Sequence, residues 1–234
     1  MVRAHYSVLM PDELGRRERK KELTRQALVD AAVRLFTERG YDQTGVADIA
    51  EAADVSKRTF FLHFPTKEDV LLGDAGTRAD LAVRAVDERR PGMSIREVLE
   101  DVTRTMIANT ASGDLVNGLA ALRAQLVVTT PAVQSRVLHT VFTAQTRIAA
   151  ALRDAYPETL DDIAAASIVG ALTGAISAAA VASLQQGESA EQTRAAMHRA
   201  AEIALQYAES LDTAATSPHS AVPDSPRSKR RSTS

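Results

Sequence analysis

Apolar residues recur at spacings of three and four along most of this chain, and no run alternates with the period of a strand. Ala27, Leu28, Ala31, Ala32, Leu35 and Phe36 make one stripe, which predicts a helix over 20–39 with a single buried face. Gly40 ends it, and Tyr41 is placed to fold back as the hydrophobic contact of a C-terminal cap. Val46, Ile49, Ala50 and Ala53 predict a short helix over 46–53, capped by Thr44 or Gly45, with Asp48 where the helix dipole favours an acid. Asp54-Val55 makes a tight turn, Ser56 caps a third helix over 57–62, and His63-Phe64-Pro65 breaks it. Thr66 with Asp69 three residues on reads as a capping box, opening a fourth helix expected to last until about 89, before Pro91-Gly92.

Five more helices are predicted, over 94–110, 115–128, 130–156, 160–186 and 189–211, with Ser94 and Ser189 as caps and Pro131, Pro157 and Gly187 as punctuation. From Asp212 the chain turns to Ser, Pro, Thr and Arg without periodicity, so 212–234 is read as a disordered tail. The fold class is therefore all-α.

Composition agrees with this and narrows the chemistry. Hydrophobic residues make up 45% of the 234, enough for a core that needs neither disulfide nor metal, and there is no cysteine. A thiol nucleophile and a Cys-ligated zinc are excluded, and a reducing cytoplasm is the expected setting. The histidines, His5, His63, His139, His198 and His219, are scattered without metal-ligand spacing. No G-x-S-x-G and no phosphate-binding glycine loop occurs, so neither an enzyme nor a cofactor is expected. Asp161-Asp162, a tight acid pair, is better explained by a helix start. Residues 163–186 carry no charge and could span a bilayer, but their Ala, Ser, Gly and Thr content fits a closely packed helix better, so no membrane is expected.

The net charge of −2 conceals a local excess: Arg16, Arg17, Arg19, Lys20, Lys21 and Arg25 crowd one stretch, and Arg227, Lys229, Arg230 and Arg231 another. Two short helices joined by a tight turn behind a longer one make a helix-turn-helix, here at 45–64. In the second of them Phe60 and Phe64 would be buried, leaving Lys57, Arg58, Phe61 and His63 on or near the outside. A plain solvated surface is the alternative for Lys57 and Arg58.

From about 23 to 72 the string closely resembles the TetR family of transcriptional regulators. The carriers are Leu35-Phe36 with Gly40-Tyr41, Thr44-Gly45-Val46-Ala47-Asp48-Ile49-Ala50, Val55-Ser56-Lys57-Arg58-Thr59-Phe60-Phe61 and His63-Phe64-Pro65-Thr66-Lys67-Glu68. It departs from that pattern at Asp54, where Gly is usual, and at Phe61, where Tyr often supplies a phosphate contact; Asp tolerates the left-handed turn well. The resemblance implies a dimeric protein on double-stranded operator DNA, most simply a repressor, with an activator as the alternative. It places Thr44, Lys57, Arg58, Thr59 and Phe61 toward DNA, His63 on the phosphate backbone, and Lys67 with its helix N-terminus on a phosphate. Arg16 and Arg17 would belong to a flexible basic arm, 1–19, that adds counterion-release affinity.

The same resemblance divides the chain into a DNA-binding domain at 20–90 and a larger helical effector-binding and dimerisation domain at 91–211. It pairs the last helices with those of a second subunit. Ser167, Gly170, Gly174 and Ser177 would supply a close face, and Ala200, Ile203 and Tyr207 the second contributor; an internal core helix is the bland alternative. A small apolar effector, acyl-chain-like by a weaker resemblance to an actinobacterial subgroup, would sit among Met106, Leu122, Leu126 and Phe142, with Leu119, Val137, Val141 and Ile148 nearby. Arg123 and Gln125 would be its polar contacts, though ordinary core packing would explain any one of these residues.

Overall fold

The computed structural model of the chain describes residues 11–73, 75–112, 115 and 118–215. Residues 1–10 of the expected arm and 216–234 of the expected tail lie outside them, as does the side chain of Tyr207. Nine α-helices and one 3-10 turn are present among the described residues, and no strand.

Helix α1, Pro11–Arg39, begins well before the predicted start at 20. The sequence 11–19 contains nothing that stops a helix: Pro11 suits a first position, two acids follow it, and Gly15 stands alone. Arg16 and Arg17 are therefore exposed on a helix rather than carried by a flexible arm. Gly40, at φ 86°, closes α1, and the Tyr41 ring returns to lie 5.3 Å from Phe36. Helix α2, Val46–Ala52, starts at Gly45, whose N–H donates to Asp48 at 2.7 Å. Asp54 takes the left-handed turn conformation at φ 54° before α3, Lys57–His63.

The helix expected over 66–89 is two elements. A 3-10 turn, Glu68–Leu72, leads into Gly73 at φ 55°, and α4 then runs Ala75–Asp87. Asp69, Val70, Leu71 and Leu72 are all buried, and four successive buried residues cannot share one face of an α-helix. Beyond it come α5 (Ile95–Ser112), α6 (Leu119–Thr129), α7 (Pro131–Ala155), α8 (Asp162–Gln185) and α9 (Ala190–Ala215). Ser94 and Ser189 cap their helices as expected, and Glu97 and Gln192 also reach back to the respective main-chain N–H groups, completing capping boxes. Helix α9 continues to 215, past the point where the tail was expected to begin.

Two apolar cores organise these elements. The first unites α1–α3 and the 3-10 turn through Leu28, Leu35, Phe36, Ile49, Phe60, Phe64 and Leu71, and is closed from behind by Leu119, Leu122, Leu126 and Val133 of α6 and α7. The second joins α4, α5, α7, α8 and α9 around Val86, Leu99, Leu152, Ile168 and Leu205. Ala82 and Val86 belong to the second, so α4 packs with the larger body although the sequence placed it with the smaller one.

Candidate nucleic-acid interface

Helix α3 is short and firmly held. The Ser56 hydroxyl accepts from Thr59 N–H at 3.0 Å, satisfying one of the orphan donors at its start. Phe60 and Phe64 plug it into the first core, their rings 5.8 Å apart. With that face fixed, Lys57 and Arg58 point outward from its first turn, which carries no acid, and Phe61 is 53% exposed. Thr59 is half-buried, and its hydroxyl shares a hydrogen bond with Ser56 at 2.8 Å. His63 is half-buried at the end of α3; burial lowers its pKa, and Lys21 and Arg25 on α1 lower it further. Lys21 and Arg25 of α1 thus act on the end of α3 through His63.

Two residues assigned to DNA by resemblance are engaged elsewhere. Thr44 is 1% exposed, and its hydroxyl donates to Gly40 O at 2.9 Å and Leu35 O at 3.3 Å, closing the end of α1. Lys67 Nζ donates to Tyr41 O at 2.9 Å and Thr44 O at 3.1 Å and lies 3.8 Å from the Tyr41 ring centre. A hydroxyl next to a helix C-terminus finds free carbonyls, and a long cation in reach of two carbonyls and an aromatic face is drawn inward. Beside them the Tyr41 hydroxyl donates to Glu68. Burial, then that bond, raises the tyrosine pKa well above its ordinary range. For Glu68 burial pulls the other way, yet the bonds from Tyr41 and neighbouring groups leave the carboxyl below its usual value.

The 3-10 turn is the joint between this reading head and the body. Asp69 is buried, takes Thr66 N–H and hydroxyl at 2.9 and 3.0 Å, and pairs with Arg136 Nε of α7 at 2.6 Å. Arg123 of α6 donates to Leu71 O at 2.9 Å, and Arg78 of α4 to Leu72 O at 3.3 Å. Arg25 of α1 donates to Gly73 O and lies over the Phe64 ring, 5.1 Å from its centre.

Behind the joint, a cavity of about 330 Å³ opens between α4, α5, α6, α7 and α8. Met106, Arg123, Val137, Val141 and Ile148 line it as expected. Leu119, Leu122 and Leu126 do not; they face α1 in the first core, because α6 turns that side to the reading head. Phe142 is 72% exposed on the outer face of α7 and Gln125 is exposed on α6, so neither reaches the cavity. Arg78 is a charged wall residue that was not anticipated. Its signal was legible: it lies three residues after Ala75 and four before Ala82, on the apolar stripe of α4.

On the far side, α8 is the one helix among the described residues long and apolar enough to cross a membrane, and only 22% of its apolar window is buried within the chain. Ser167, Gly174 and Ser177 are exposed and Gly170 half-buried; Ser177 also borders the cavity. A Cβ added at Gly170 or Gly174 would meet nothing within 4 Å, so this chain's own packing does not require glycine there. On α9, Ala200 is half-buried and Ile203 exposed.

Residues 28–73 match the family model described as bacterial regulatory proteins, tetR family. The chain is 34% identical over 105 residues to the HTH-type transcriptional regulator TcmR of Streptomyces glaucescens, a stretch covering 45% of this chain and 46% of that one. It spans about half the length, or less, of the curated relatives it matches. Its fold resembles that of Thermus thermophilus FadR, a TetR-family transcriptional repressor solved in complex with lauroyl-CoA, at TM-score 0.50 and 21% identity, covering 88% of this chain and all of that one. It also resembles the fatty acid degradation regulator FadR of Bacillus halodurans, at TM-score 0.52 and 20% identity, covering 78% and 94%. Residues 28–73 thus form a helix-turn-helix domain of the kind described for bacterial regulatory proteins of the tetR family.

Proposed function

We propose that this protein is a transcriptional repressor that binds a palindromic operator as a homodimer and is released by a small apolar effector. The observation that carries the reading is the outward pair Lys57 and Arg58 on a Ser56-capped, Phe60-anchored α3 inside the family-matched segment. Such a helix fits a major groove, with Lys57 and Arg58 against base edges and nearby phosphates. Phe61, Thr59 and His63 flank that contact, and Arg16 and Arg17 add sequence-independent attraction from the helical extension of α1. Thr44 and Lys67 act indirectly, by fixing the turn before α2.

The homodimer rests on α8 and α9. A mostly unburied apolar helix whose glycines face open space calls for a partner surface, and its small residues allow close approach. Ser167, Gly170, Gly174 and Ser177 on α8, with Ala200, Ile203 and Tyr207 on α9, are the contacts proposed. The effector occupies the cavity among Met106, Val137, Val141 and Ile148, with Arg123 at its polar end. An acyl-chain-like molecule suits this wall, and the lauroyl-CoA bound to a protein of similar fold supports the choice. The protein works by binding rather than catalysis, on the nucleoid in the cytoplasm.

Selection of genomic fragments by the purified protein, followed by footprinting, tests this. Protection of two half-sites related by a dyad, with centres about 34–36 Å apart or a multiple of that, is expected. Protection of a single asymmetric half-site, or no sequence preference over random DNA, would sink it.

A further inference from the structure

Five polar residues are buried among the described ones: Thr44, Asp69, Thr103, Ser183 and Thr193. Thr44 bonds two carbonyls, Asp69 pairs with Arg136, and Ser183 and Thr193 bond one another at 2.9 Å. Thr103, on α5 and 5% exposed, is different: its hydroxyl bonds none of the described residues. Helical threonines elsewhere in the cavity wall turn inward on their own main chain. The hydroxyls of Thr110 and Thr173 donate to Met106 O and Val169 O, four residues earlier, at 3.0 and 2.7 Å. Leu99 stands at that position for Thr103, and its carbonyl is not taken. No side-chain oxygen or nitrogen among the described residues is both shut away and without a hydrogen bond, so the Thr103 oxygen faces open space. The space that Thr103 borders is the cavity. Its helical neighbours Leu99, Met106 and Ile107 line the same wall, which makes the hydroxyl a polar point on an apolar surface.

We propose that Thr103 is a specificity-determining residue of the cavity, and that it donates its hydroxyl to an uncharged carbonyl oxygen carried within the apolar body of the ligand. A buried donor left unmet is costly, so a ligand that meets it gains what a plain hydrocarbon cannot. The count of donors and acceptors selects the carbonyl. Thr103 has one proton to give, and a carbonyl oxygen takes it without bringing a donor of its own. A ligand hydroxyl would leave one of two protons without an acceptor on this aliphatic wall. Thr110 and Thr173 already give their protons to the main chain, and Thr140 and Ser177, the remaining hydroxyls of the wall among the described residues, are less deeply buried. A site built around one buried donor discriminates against analogues that lack the acceptor. This deepens the effector reading above and rests on it for what binding does at DNA; the binding itself does not.

Ligand-observed magnetic resonance titration of the full chain tests this without DNA, using symmetrical dialkyl ketones from seven to eleven carbons and the hydrocarbons and secondary alcohols of matching length. At least one ketone is expected to bind. Thr103→Val should weaken it about three- to tenfold while leaving the hydrocarbon unchanged or tighter, and the alcohol should lose less than the ketone. Thr103→Ser, which keeps the donor, should retain most of the ketone affinity. Thr110→Val, which removes a proton already given to Met106 O, should leave that affinity unchanged. A ketone labelled at its carbonyl carbon should resonate further downfield on the wild type than on Thr103→Val, because a hydrogen-bonded carbonyl carbon is deshielded. Without ligand, Thr103→Val should unfold at the same or a higher denaturant concentration, since the hydroxyl it removes bonds no protein group. No ketone binding, equal weakening of ketone and hydrocarbon, an alcohol loss as large as the ketone's, a carbonyl resonance that ignores the variant, or a lower unfolding midpoint would overturn the proposal. If ketone binds through Thr103 while no genomic fragment is selected, the regulator reading fails and this inference stands. A selected operator with no ketone bound leaves that reading in place and sinks the inference.

Discussion

Lys57, Arg58 and Lys67 carry the same charge within eleven positions, yet their surroundings give them different work. Lys57 and Arg58 are exposed on a helix whose opposite face is locked, so replacing either by Ala should leave folding intact. Affinity for the selected operator should fall by about 1–3 kcal/mol, and more than affinity for random DNA; equal loss on both would make them phosphate contacts only. Lys67→Ala removes a cation from two carbonyls and an aromatic face, so its first effect should be on stability, by about 1–3 kcal/mol in denaturant unfolding. Unchanged stability with a selective loss of operator affinity would restore Lys67 to the DNA surface. His63 adds a pH dependence. Its folded pKa is depressed, first by burial and then by Lys21 and Arg25, with Glu22 opposing. The folded state therefore binds fewer protons there, and the contribution is full above the unfolded value of about 6.5 and lost as pH falls from there through the lowered folded value. His63→Gln should flatten the acid side of the stability profile; identical profiles would show that His63 is not the titrating group.

At the scale of elements, the five-residue turn Glu68–Leu72 matters more than its size suggests. It contributes Val70 and Leu71 to the core of the reading head and Asp69 to a pair with α7, and it lends its carbonyls to α4 and α6. Arg136→Ala would strand the Asp69 carboxylate, which keeps only its Thr66 donors. Orphaning a buried charge costs about 3–5 kcal/mol, and the partial exposure of Arg136 puts the expected loss near the lower end, about 3 kcal/mol in thermal or denaturant unfolding. Asp69→Asn with Arg136→Met, which removes both charges, should recover most of it. A loss below about 0.5 kcal/mol for Arg136→Ala would mean that the pair does not hold the joint.

For the whole molecule, the question is what covers α8. Gly174 faces open space in the single chain, so Gly174→Glu should be neutral or slightly stabilising to an isolated subunit, since Glu exceeds Gly in helix propensity by roughly 0.5–1 kcal/mol. In a dimer the same change forces a charge and a long side chain into a close contact. Sedimentation should show the wild type as a dimer and the variant shifted toward a folded monomer, and operator affinity should fall with dimer population because two half-sites are read together. A variant that remains fully dimeric would move the interface away from this face of α8.

The sequence by itself determined most of the helices, the Ser56, Ser94 and Ser189 caps and the buried face of α3. These are local matters: Ser56, Ser94 and Ser189 bond groups within three residues, Gly40 and Asp54 take turn conformations that few residues accept, and apolar spacing marks the buried face of α3. Tertiary structure decided what depended on which element lay opposite. Leu122 and Leu126 are as apolar as Val137 and Val141, but α6 turns them toward α1 while α7 turns the others into the cavity. Phe142 has the composition of a pocket residue and stands in the open. Burial of Asp69 through Leu72 tightened an expected α-helix into a 3-10 turn, and Lys67 was claimed by carbonyls more than twenty residues away. Hydrophobic periodicity reports that a face is buried, because that follows from helix geometry alone. It cannot report against what, because the partner is chosen by packing between segments that are distant in the chain.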